Sequence, residues 1–484
     1  MKGPFIMSEV IIARGGMGGV ASSSTATGNA VIRITTDSGT SFTVTDGNST
    51  YTKTATSSTV EFGVGYGSWT VTGTYGTNTS SKVVEVDSLK IYTIQMRLKQ
   101  ALYGICIDMS NTDPDSAVTY TDDAVGMTPL TMNLANGVVK WGDWEYAIND
   151  GAISCKPCLY LNGSRSVYLD PDDYSKDVDG NSVDITSGSS GDVMVEFKRT
   201  WYKWYISGNY LYFKVADYQP DSSYVSTAFY SMYSSTSSVQ DYMYYGAYEG
   251  YNSSNKIRSL SGKTPTGSIT IGNSRTYCKA NGNKYGMEDW AKRCYILGLT
   301  MLVTKCREIQ GALGQGNTST SVISTTGTRN NAGLFSGTSS GTIAIKLFGI
   351  ENFYGSQWQW CDGLVTGSST TVKLGAVHYG SVTSYTDGGT NYTSVTDGNA
   401  RGSAISYPTK MGAYLGGAVI FPTASQYDST KGWPDYFVVN SSTSCVASVG
   451  GYFNNGANAG PFFLYIGNSA SYTDSYIGCR LVAS

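Results

Sequence analysis

Apolar and polar residues alternate in short runs from about Asn29 to Met96. The runs are about four to seven residues long, and turn pairs such as Asp46-Gly47 and Tyr66-Gly67 separate them. A period of two places the apolar side chains on one face of a strand, and glycine-containing pairs favour hairpin turns. About six or seven strands of this kind predict a small β-sandwich over residues 29–97.

Long loops and aromatic strands follow from Leu98 onward. Aspartate-rich stretches such as SNTDPDSAVTYTDDAV lie between strands rich in Trp and Tyr, such as VMVEFKRTWYKWYISGNYLYFKVADY. This pattern indicates a sheet that carries long loops. The predicted fold class is therefore mainly β with few helices (α+β).

One stretch, residues 286–314, predicts a helix. Glu288 and Asp289 lie near its start, and Lys305 and Arg307 lie near its end, as the helix dipole favours. Its apolar segment is too short to span a bilayer. We therefore expect a buried core helix, the one clear helix of the chain.

Polar but uncharged residues dominate the rest of the composition. Lys, Arg, Asp and Glu make up 14% of the 484 residues, well below the usual quarter, whereas the chain has 58 Gly and 38 Tyr. Tyrosine offers wide amphipathic contact at a low entropic cost, and Ser, Gly and Asn adapt around it. This composition is typical of adhesive loops.

The charge and the N-terminal residues exclude several classes of protein. A formal net charge of -3 without a basic stripe argues against nucleic-acid binding and against anionic membranes. Residues 1–28 contain no apolar run that fits a signal peptide, and no stretch of the chain is long enough for a membrane span. We expect synthesis in a cytoplasm, no membrane insertion, and a flexible attachment arm over residues 1–28.

Two sets of residues offer candidate chemistry, each with a plainer interpretation. Cys155 and Cys158 have the CxxC spacing of zinc and redox sites, but the chain has a single histidine and no second CxxC, which favours buried structural thiols. The nine cysteines form an odd set, which argues against a disulfide framework. The lone His378 has no nucleophile elbow to complete a catalytic triad.

An acidic loop leaves a calcium site open. Its carboxylates alternate with Gly and Asn, as oxygen ligands of calcium do, but the order of an EF-hand and its closing Glu are missing. A solvated loop is the plainer interpretation. Apart from this possible calcium, no cofactor is expected; the carboxylates are Asp170, Asp172, Asp173, Asp177, Asp179 and Asp184.

Separated stretches of the chain resemble one family. Leu347–Gly363, LFGIENFYGSQWQWCDG, resembles the G-(x)-N-x-x-G-N-V-W-E-W segment of formylglycine-generating-enzyme-like C-type lectin folds, and the chain end IGCRLVAS resembles the GFRLV strand that closes that fold. Tyr244–Gly267 resembles phage tail and prophage members of the group. Val449–Ser484 is similar to the variable region of C-type-lectin-fold variable proteins of diversity-generating retroelements.

The resemblance implies an organisation and a role. Residues 98–484 would form a C-type-lectin-like ligand-binding domain with inserted loops and a variable region at about 427–484. Residues 29–97 resemble the immunoglobulin-like modules that phage tail proteins carry as spacers. Formylglycine-generating chemistry relies on a closely spaced cysteine pair, whereas Cys445 and Cys479 lie far apart in sequence, so we expect the fold without the catalysis.

The resemblance also selects candidate binding residues. In this family, mutagenesis of asparagine codons at adenines yields Tyr, Phe, Ser, Asp and Gly. Positions of this kind are Tyr452, Phe453, Phe463, Tyr465, Gly467, Tyr472, Asp474 and Tyr476, and Trp433, Asp435 and Tyr436 are expected to border the same face. The alternative is that these aromatics are core residues; the residues assigned to the core are Phe462, Leu464, Ile477 and Leu481.

The expected function is that of a phage tail-tip or tail-fibre receptor-binding protein. It would be part of the virion, attach to other tail proteins through its N-terminus, form a homotrimer, and bind a protein or glycan on the host cell surface without being an enzyme. Two alternatives remain open. One is a tail-associated enzyme that degrades glycans, and the other is a bacterial surface adhesin with the same domain.

Overall fold

The chain divides into two compact units, Met1–Gln100 and Ala101–Ser484. The computed structural model describes residues 8–11, 30–231, 238–367, 371–396, 406–440 and 444–484. The predicted fold class is confirmed as mainly β with few helices. Most of the predicted attachment arm lies outside the described residues.

The first unit consists of strands. Its strands are β1 (Ser8–Ile11), β2 (Ala30–Thr36), β3 (Ser41–Thr45), β4 (Thr50–Thr54), β5 (Thr59–Val64), β6 (Gly67–Tyr75), β7 (Asn78–Val86) and β8 (Ile91–Met96). They form one sheet in the order β1-β7-β6-β3-β4 and a second in the order β5-β2-β8. The strand β1 pairs with β7 in parallel, so this short part of the expected arm belongs to a sheet instead.

Period-two alternation produces the core of the first unit. Along β5, exposed and buried side chains alternate strictly, and β2 buries every second residue. The inward side chains of both sheets, among them Ile32, Phe42 and Trp69, form a single buried cluster. Burial of these apolar side chains is the main stabilising contribution in a unit of this size.

The second unit is larger and has several sheets. Its strands are β9 (Leu102–Asp108), β10 (Val118–Asp122), β11 (Thr131–Asn133), β12 (Val138–Lys140), β13 (Cys155–Leu161), β14 (Ser164–Asp170), β15 (Asp173–Asp177), β16 (Asp192–Lys198), β17 (Trp201–Ser207), β18 (Tyr210–Ala216), β19 (Tyr242–Gly246), β20 (Tyr251–Ser253), β21 (Lys256–Arg258), β22 (Tyr285–Met287), β23 (Lys346–Leu347), β24 (Ile350–Glu351), β25 (Trp358–Thr366), β26 (Thr371–Leu374), β27 (Thr393–Thr396), β28 (Tyr407–Tyr414), β29 (Val419–Gln426), β30 (Phe437–Val439), β31 (Cys445–Val449), β32 (Leu464–Ser469), β33 (Ile477–Gly478) and β34 (Leu481–Ala483). The α-helices in the described part of this unit are α1 (Glu145–Asn149), α2 (Ile271–Lys279), α3 (Trp290–Thr304) and α4 (Ile309–Leu313).

Two sheets of the second unit place the C-terminal residues. One has the order β15-β14-β13-β16-β19-β34-β22, so the last strand of the chain lies between β19 and β22. The other runs β27-β26-β25-β31-β32-β30, and β33 pairs with β25 in parallel. The C-terminal stretch is therefore part of two sheets and is not a disordered tail.

The helix predicted over residues 286–314 is shorter than expected. It spans Trp290–Thr304, and the Asp289 carboxylate caps its first turn by accepting from the Lys292 amide at 2.9 Å. It ends where Lys305 takes a left-handed conformation with φ 53°. The flanking residues belong to β22 and α4, so the predicted ends were wrong, whereas the prediction of a buried core helix is confirmed.

The buried Arg480 ties the chain end to the second unit. Its guanidinium donates to Gln359 Oε1 at 2.8 Å and to the carbonyl oxygens of Gly246 at 2.9 Å, Glu351 at 2.9 Å and Asn352 at 2.7 Å. Burying a cation is costly unless its donors are satisfied, and here the partners come from three segments distant in sequence. The two stretches on which the resemblance rests, IGCRLVAS and LFGIENFYGSQWQWCDG, thus contact each other through the hydrogen bonds of Arg480.

Across the described ranges, none of the helices is both long enough and apolar enough to cross a membrane.

Candidate functional site

Two loops of the C-terminal stretch bring aromatic side chains together at the surface. The first loop follows β31 and the second joins β32 to β33. We call the group that they form the aromatic face; its members are Tyr452, Phe453, Tyr472, Asp474 and Tyr476. All of these side chains are exposed or partly exposed, and Tyr472 is 36% exposed.

Residues 356–358, which lead into strand β25, hold both loops by their backbones. The Phe453 amide donates to the Ser356 carbonyl at 3.1 Å, and the Trp358 amide donates to the Tyr476 carbonyl at 3.0 Å. The Ser268 amide also donates to the carbonyl of Asp474 at 2.7 Å. The backbone beneath the aromatic face is therefore fixed by groups outside it, independently of the side chains that the face carries.

The rings of the aromatic face contact one another directly. Tyr452 and Tyr476 are stacked with centroids 4.6 Å apart and an interplanar angle of 27°. Phe453 meets Tyr452 edge-on at 4.9 Å and Tyr476 at 6.4 Å. Such pairs restrict ring motion and add attraction beyond area burial. Side chains from the two loops thus form one continuous surface.

Asp474 is the charged member of this surface. Its Oδ2 accepts from the Tyr472 hydroxyl at 3.0 Å, and its Oδ1 accepts from the Ser475 hydroxyl at 3.3 Å. Partial burial acts to raise the pKa of Asp474, but hydrogen bonds from Tyr476 and Tyr472 outweigh it and lower the pKa below the usual value. The same hydrogen bond raises the pKa of Tyr476, so at neutral pH the group is one carboxylate and neutral phenols.

Tyr472, Asp474 and Tyr476 do not lie on a regular strand. Residues 471–476 form an irregular loop in which the Tyr472 amide donates to Ser469 at 3.0 Å and the Ile477 amide donates to Asp474 at 3.1 Å. The hydrogen bonds to Asp474, and not strand periodicity, place Tyr472 and Tyr476 side by side.

A buried aromatic layer supports the face from below. Trp358 and Phe463 meet at 4.3 Å in an edge-on contact and belong to one buried cluster. Phe463 is only 3% exposed, so the expectation that it contacts a ligand is corrected. It lies immediately before β32, where its carbonyl accepts from the Gly450 amide at 3.0 Å and its ring packs against Trp358. Partly buried tyrosines of the predicted variable region pack against this same cluster; they are Tyr436, Tyr452, Tyr465 and Tyr476.

Trp433 and Asp435 are also corrected, because both are buried. Trp433 is 0% exposed and packs against Phe462 at 5.9 Å. Asp435 is 2% exposed, and its Oδ2 accepts from the Phe462 amide at 2.7 Å. Burial raises the pKa of Asp435 well above the usual range. These residues organise the loop after β31 from inside and do not border the surface.

The remaining candidates have intermediate positions. Tyr436 and Tyr465 are half-buried, and Gly467 on β32 allows the ring of Tyr465 to approach. A Cβ atom at Gly467 would lie 2.5 Å from that ring, so a larger residue there would displace it. The residues assigned to the core are all buried, as predicted; they are Phe462, Leu464, Ile477 and Leu481.

Tyr407 is a further half-buried tyrosine beside Tyr436, and the sequence did not indicate it. Its ring meets Tyr436 edge-on at 5.1 Å, and its hydroxyl donates to Asn458 Oδ1 at 3.1 Å. Tyr407 begins β28, far from the C-terminal stretch in sequence. Only the pairing of distant segments brings it here, and no local pattern in the sequence indicates it.

The candidate metal and redox residues do not form such sites in the described parts of the chain. Cys155 and Cys158 lie three positions apart on β13 and pack into different buried clusters, on opposite faces of the sheet. Burial raises the pKa of both thiols. Elsewhere in the described residues, too, no group of three or more His, Cys, Asp or Glu side chains is placed to hold a metal ion.

The acidic loop and His378 have structural contacts instead. Asp177 accepts from the Asn181 amide at 2.8 Å, and Asp184 accepts from Thr186 and Ser187 amides at 2.9 and 3.0 Å. Each carboxylate thus stabilises its own turn. The His378 Nε2 lies 2.8 Å from the carbonyl oxygen of Ser231.

Comparison with known proteins gives a weak similarity to a solved structure. No family model matches the chain, and no curated protein matches it. Among solved structures, the chain is similar to one titled "Major Tropism Determinant P3c Variant", with 11% sequence identity and a TM-score of 0.27 over 87% of this chain and 81% of that chain. A similarity of this size establishes neither a shared fold nor a shared activity.

Proposed function

We propose that this chain is a phage tail-tip or tail-fibre receptor-binding protein that holds a host-surface molecule on the aromatic face. The observation that carries the proposal is the exposed group of stacked aromatic rings around Asp474, on a backbone fixed by β25. Exposed tyrosines on a rigid support are the side chains that dominate binding energy in protein interfaces.

The arrangement fits a surface whose side chains can be exchanged. The loops are fixed through backbone amides and carbonyls, and the buried layer of Trp358 and Phe463 supplies the packing. Replacement of an outer tyrosine therefore changes what the surface binds more than it changes the fold. This division supports the resemblance to retroelement-diversified variable proteins and a C-type-lectin-like domain in the second unit.

The proposal includes an assembly. The first unit and the residues before it would act as a spacer and attach to other tail proteins, and three copies of the chain would present three aromatic faces on one virion. Several weak sites on one particle raise the overall affinity without any new contact.

The test is the adsorption of phage, or of purified protein, to host cells. Replacing Tyr472, Asp474 and Tyr476 together by Ala removes aromatic contact and the carboxylate, and we expect adsorption to fall by at least about tenfold. A matched control replaces Tyr66, Asp179 and Tyr210 by Ala, which are exposed residues of the same types elsewhere. Unchanged adsorption by the folded first variant would refute the proposal.

The enzymatic alternative has its own readout. Purified protein is incubated with capsule or cell-wall glycan from the host, and reducing ends are counted over time. A receptor-binding protein releases none above a heat-denatured control, whereas a glycan-degrading enzyme releases them in proportion to its concentration.

A further inference from the structure

The aromatic face carries a negative charge and no positive charge. From Val449 to Cys479 the sequence contains Asp474 as its one charged residue and no Lys or Arg. The carboxylate is partly exposed at the surface. A ligand that approaches the C-terminal loops therefore encounters a single negative charge among phenol rings.

In the part of the chain that the structure describes, no cation neutralises Asp474. Its hydrogen-bond donors are the hydroxyl groups of Tyr472, Tyr476 and Ser475 and the Ser475 amide, all of them neutral. Among the described residues, none of the ion pairs includes it, whereas the buried Asp192 pairs with Arg258 at 2.9 Å and the buried Asp362 pairs with Arg275 at 2.7 Å. The charge of Asp474 is thus left for an external partner.

The aromatic rings favour the same kind of partner. A ring attracts a cation to its face, and the hydroxyl groups of Tyr472 and Tyr476 both donate to Asp474, so a cation that pairs with the carboxylate lies next to the hydroxyl ends of both rings, within reach of their faces. Tyr452 stacks on Tyr476 and Phe453 adjoins both, which lengthens the aromatic wall. An anionic ligand would meet repulsion at this position.

We propose that the aromatic face recognises a cationic group of the receptor, an ammonium or guanidinium that pairs with Asp474 and contacts the rings of Tyr472 and Tyr476. The inference rests on the proposed function, since it specifies the ligand chemistry of the same surface. Two sources share this chemistry. One is a Lys or Arg side chain of a receptor protein, and the other is a quaternary ammonium or amine carried by a glycan or lipid headgroup.

The first test uses small probes on the full chain and does not depend on a host. The probes are Nα-acetyl-lysine methylamide, Nα-acetyl-arginine methylamide and choline, with 3,3-dimethylbutan-1-ol as the uncharged analogue of choline. We expect saturable shifts of tyrosine NMR signals with the cations and none with the alcohol. Preference for the amino-acid probes indicates a protein source, and preference for choline indicates a headgroup.

Variants assign the probe site to Asp474. Asp474→Asn keeps the shape and removes the charge, and we expect probe affinity to fall by about five- to tenfold. Asp179→Asn, the same change at an exposed aspartate after β15, should leave affinity unchanged. Because the pKa of Asp474 lies below the usual range, affinity should persist from neutral pH to about pH 5 and fall only at lower pH, where the carboxylate takes up a proton. No saturable binding, or equal binding by Asp474→Asn, would overturn the proposal.

Adsorption separates this inference from the proposed function. Asp474→Lys reverses the charge and should reduce adsorption at least as much as the triple Ala variant. If the triple variant loses adsorption but Asp474→Lys keeps it, the face binds the receptor and the cation is ruled out. If cationic probes bind through Asp474 but the triple variant still adsorbs, the cation site stands and the proposed receptor-binding role fails.

Discussion

Arg480 donates four buried hydrogen bonds near the chain end, and its replacement should strongly lower the free energy of unfolding. Arg480→Met retains most of the volume but leaves the carbonyls of Gly246, Glu351 and Asn352 without their buried donor. We expect the free energy of unfolding to fall by ~3–5 kcal/mol, measured by chemical denaturation. Arg199→Met is the control, because Arg199 forms an exposed ion pair with Asp241 and should cost under about 1 kcal/mol. A similar small loss for Arg480→Met would contradict this role.

At the same scale, sequence could identify part of the candidate site. The family resemblance selected Tyr472, Asp474 and Tyr476 as binding residues, and all three side chains are at the surface. Residue type alone could not separate Phe463 from them, because its burial depends on packing against Trp358 and Tyr436, which are distant in sequence. Asp435 can be buried because the amide of Phe462, which is distant in sequence, donates a hydrogen bond to its carboxyl group. No local pattern indicates this contact.

Among the elements, α3 depends on a buried cap. Asp289 accepts from the Lys292 amide and also pairs with Lys292 Nζ at 3.0 Å, and both side chains are buried. Asp289→Ala removes the cap and leaves a buried ammonium, so we expect a loss of ~3–5 kcal/mol in the free energy of unfolding. The double variant Asp289→Ala, Lys292→Met should regain part of that loss, because the unpaired charge is gone.

The comparison helix for this prediction is α2. Its cap, Thr270, accepts from the Asn273 amide at 3.2 Å near the surface, so Thr270→Ala should cost only ~1 kcal/mol. If Asp289→Ala and Thr270→Ala lower the free energy of unfolding equally, measured by the same denaturation, burial of the Asp289–Lys292 pair adds nothing to stability.

Element boundaries show where local sequence stops being sufficient. Helical composition continues through residues 286–314, yet Met287 pairs with Leu481 in a sheet, so tertiary pairing delays the start of the helix to Trp290. The helix α2 was missed because Ile271–Lys279 contains few apolar residues. By contrast, strict alternation along β5 was sufficient to predict its buried face.

For the whole molecule, alternation predicted the N-terminal strands well, but the topology of the second unit was not predictable in the same way. The sheet that holds β34 joins strands from residue 155 to residue 483. Such pairings depend on contacts between residues far apart in sequence, for which local periodicity carries no signal. Resemblance at the chain end, and not pattern, suggested that IGCRLVAS closes the fold.

The two units have separate cores, and this makes a prediction for the whole chain. The buried cluster of the first unit contains residues from 30 to 96, and the clusters of the second contain residues from 105 onward. Phe42→Ala opens a cavity in the first cluster and should cost that unit ~3–5 kcal/mol. Hydrogen exchange with mass spectrometry should show faster exchange in β2 to β8 and unchanged exchange in β25 and β31 to β34. Faster exchange in β25 would show instead that the two cores unfold as one.

Binding of cationic probes to the Phe42→Ala variant should also persist, because Asp474 and the residues that contact it are not members of the first cluster.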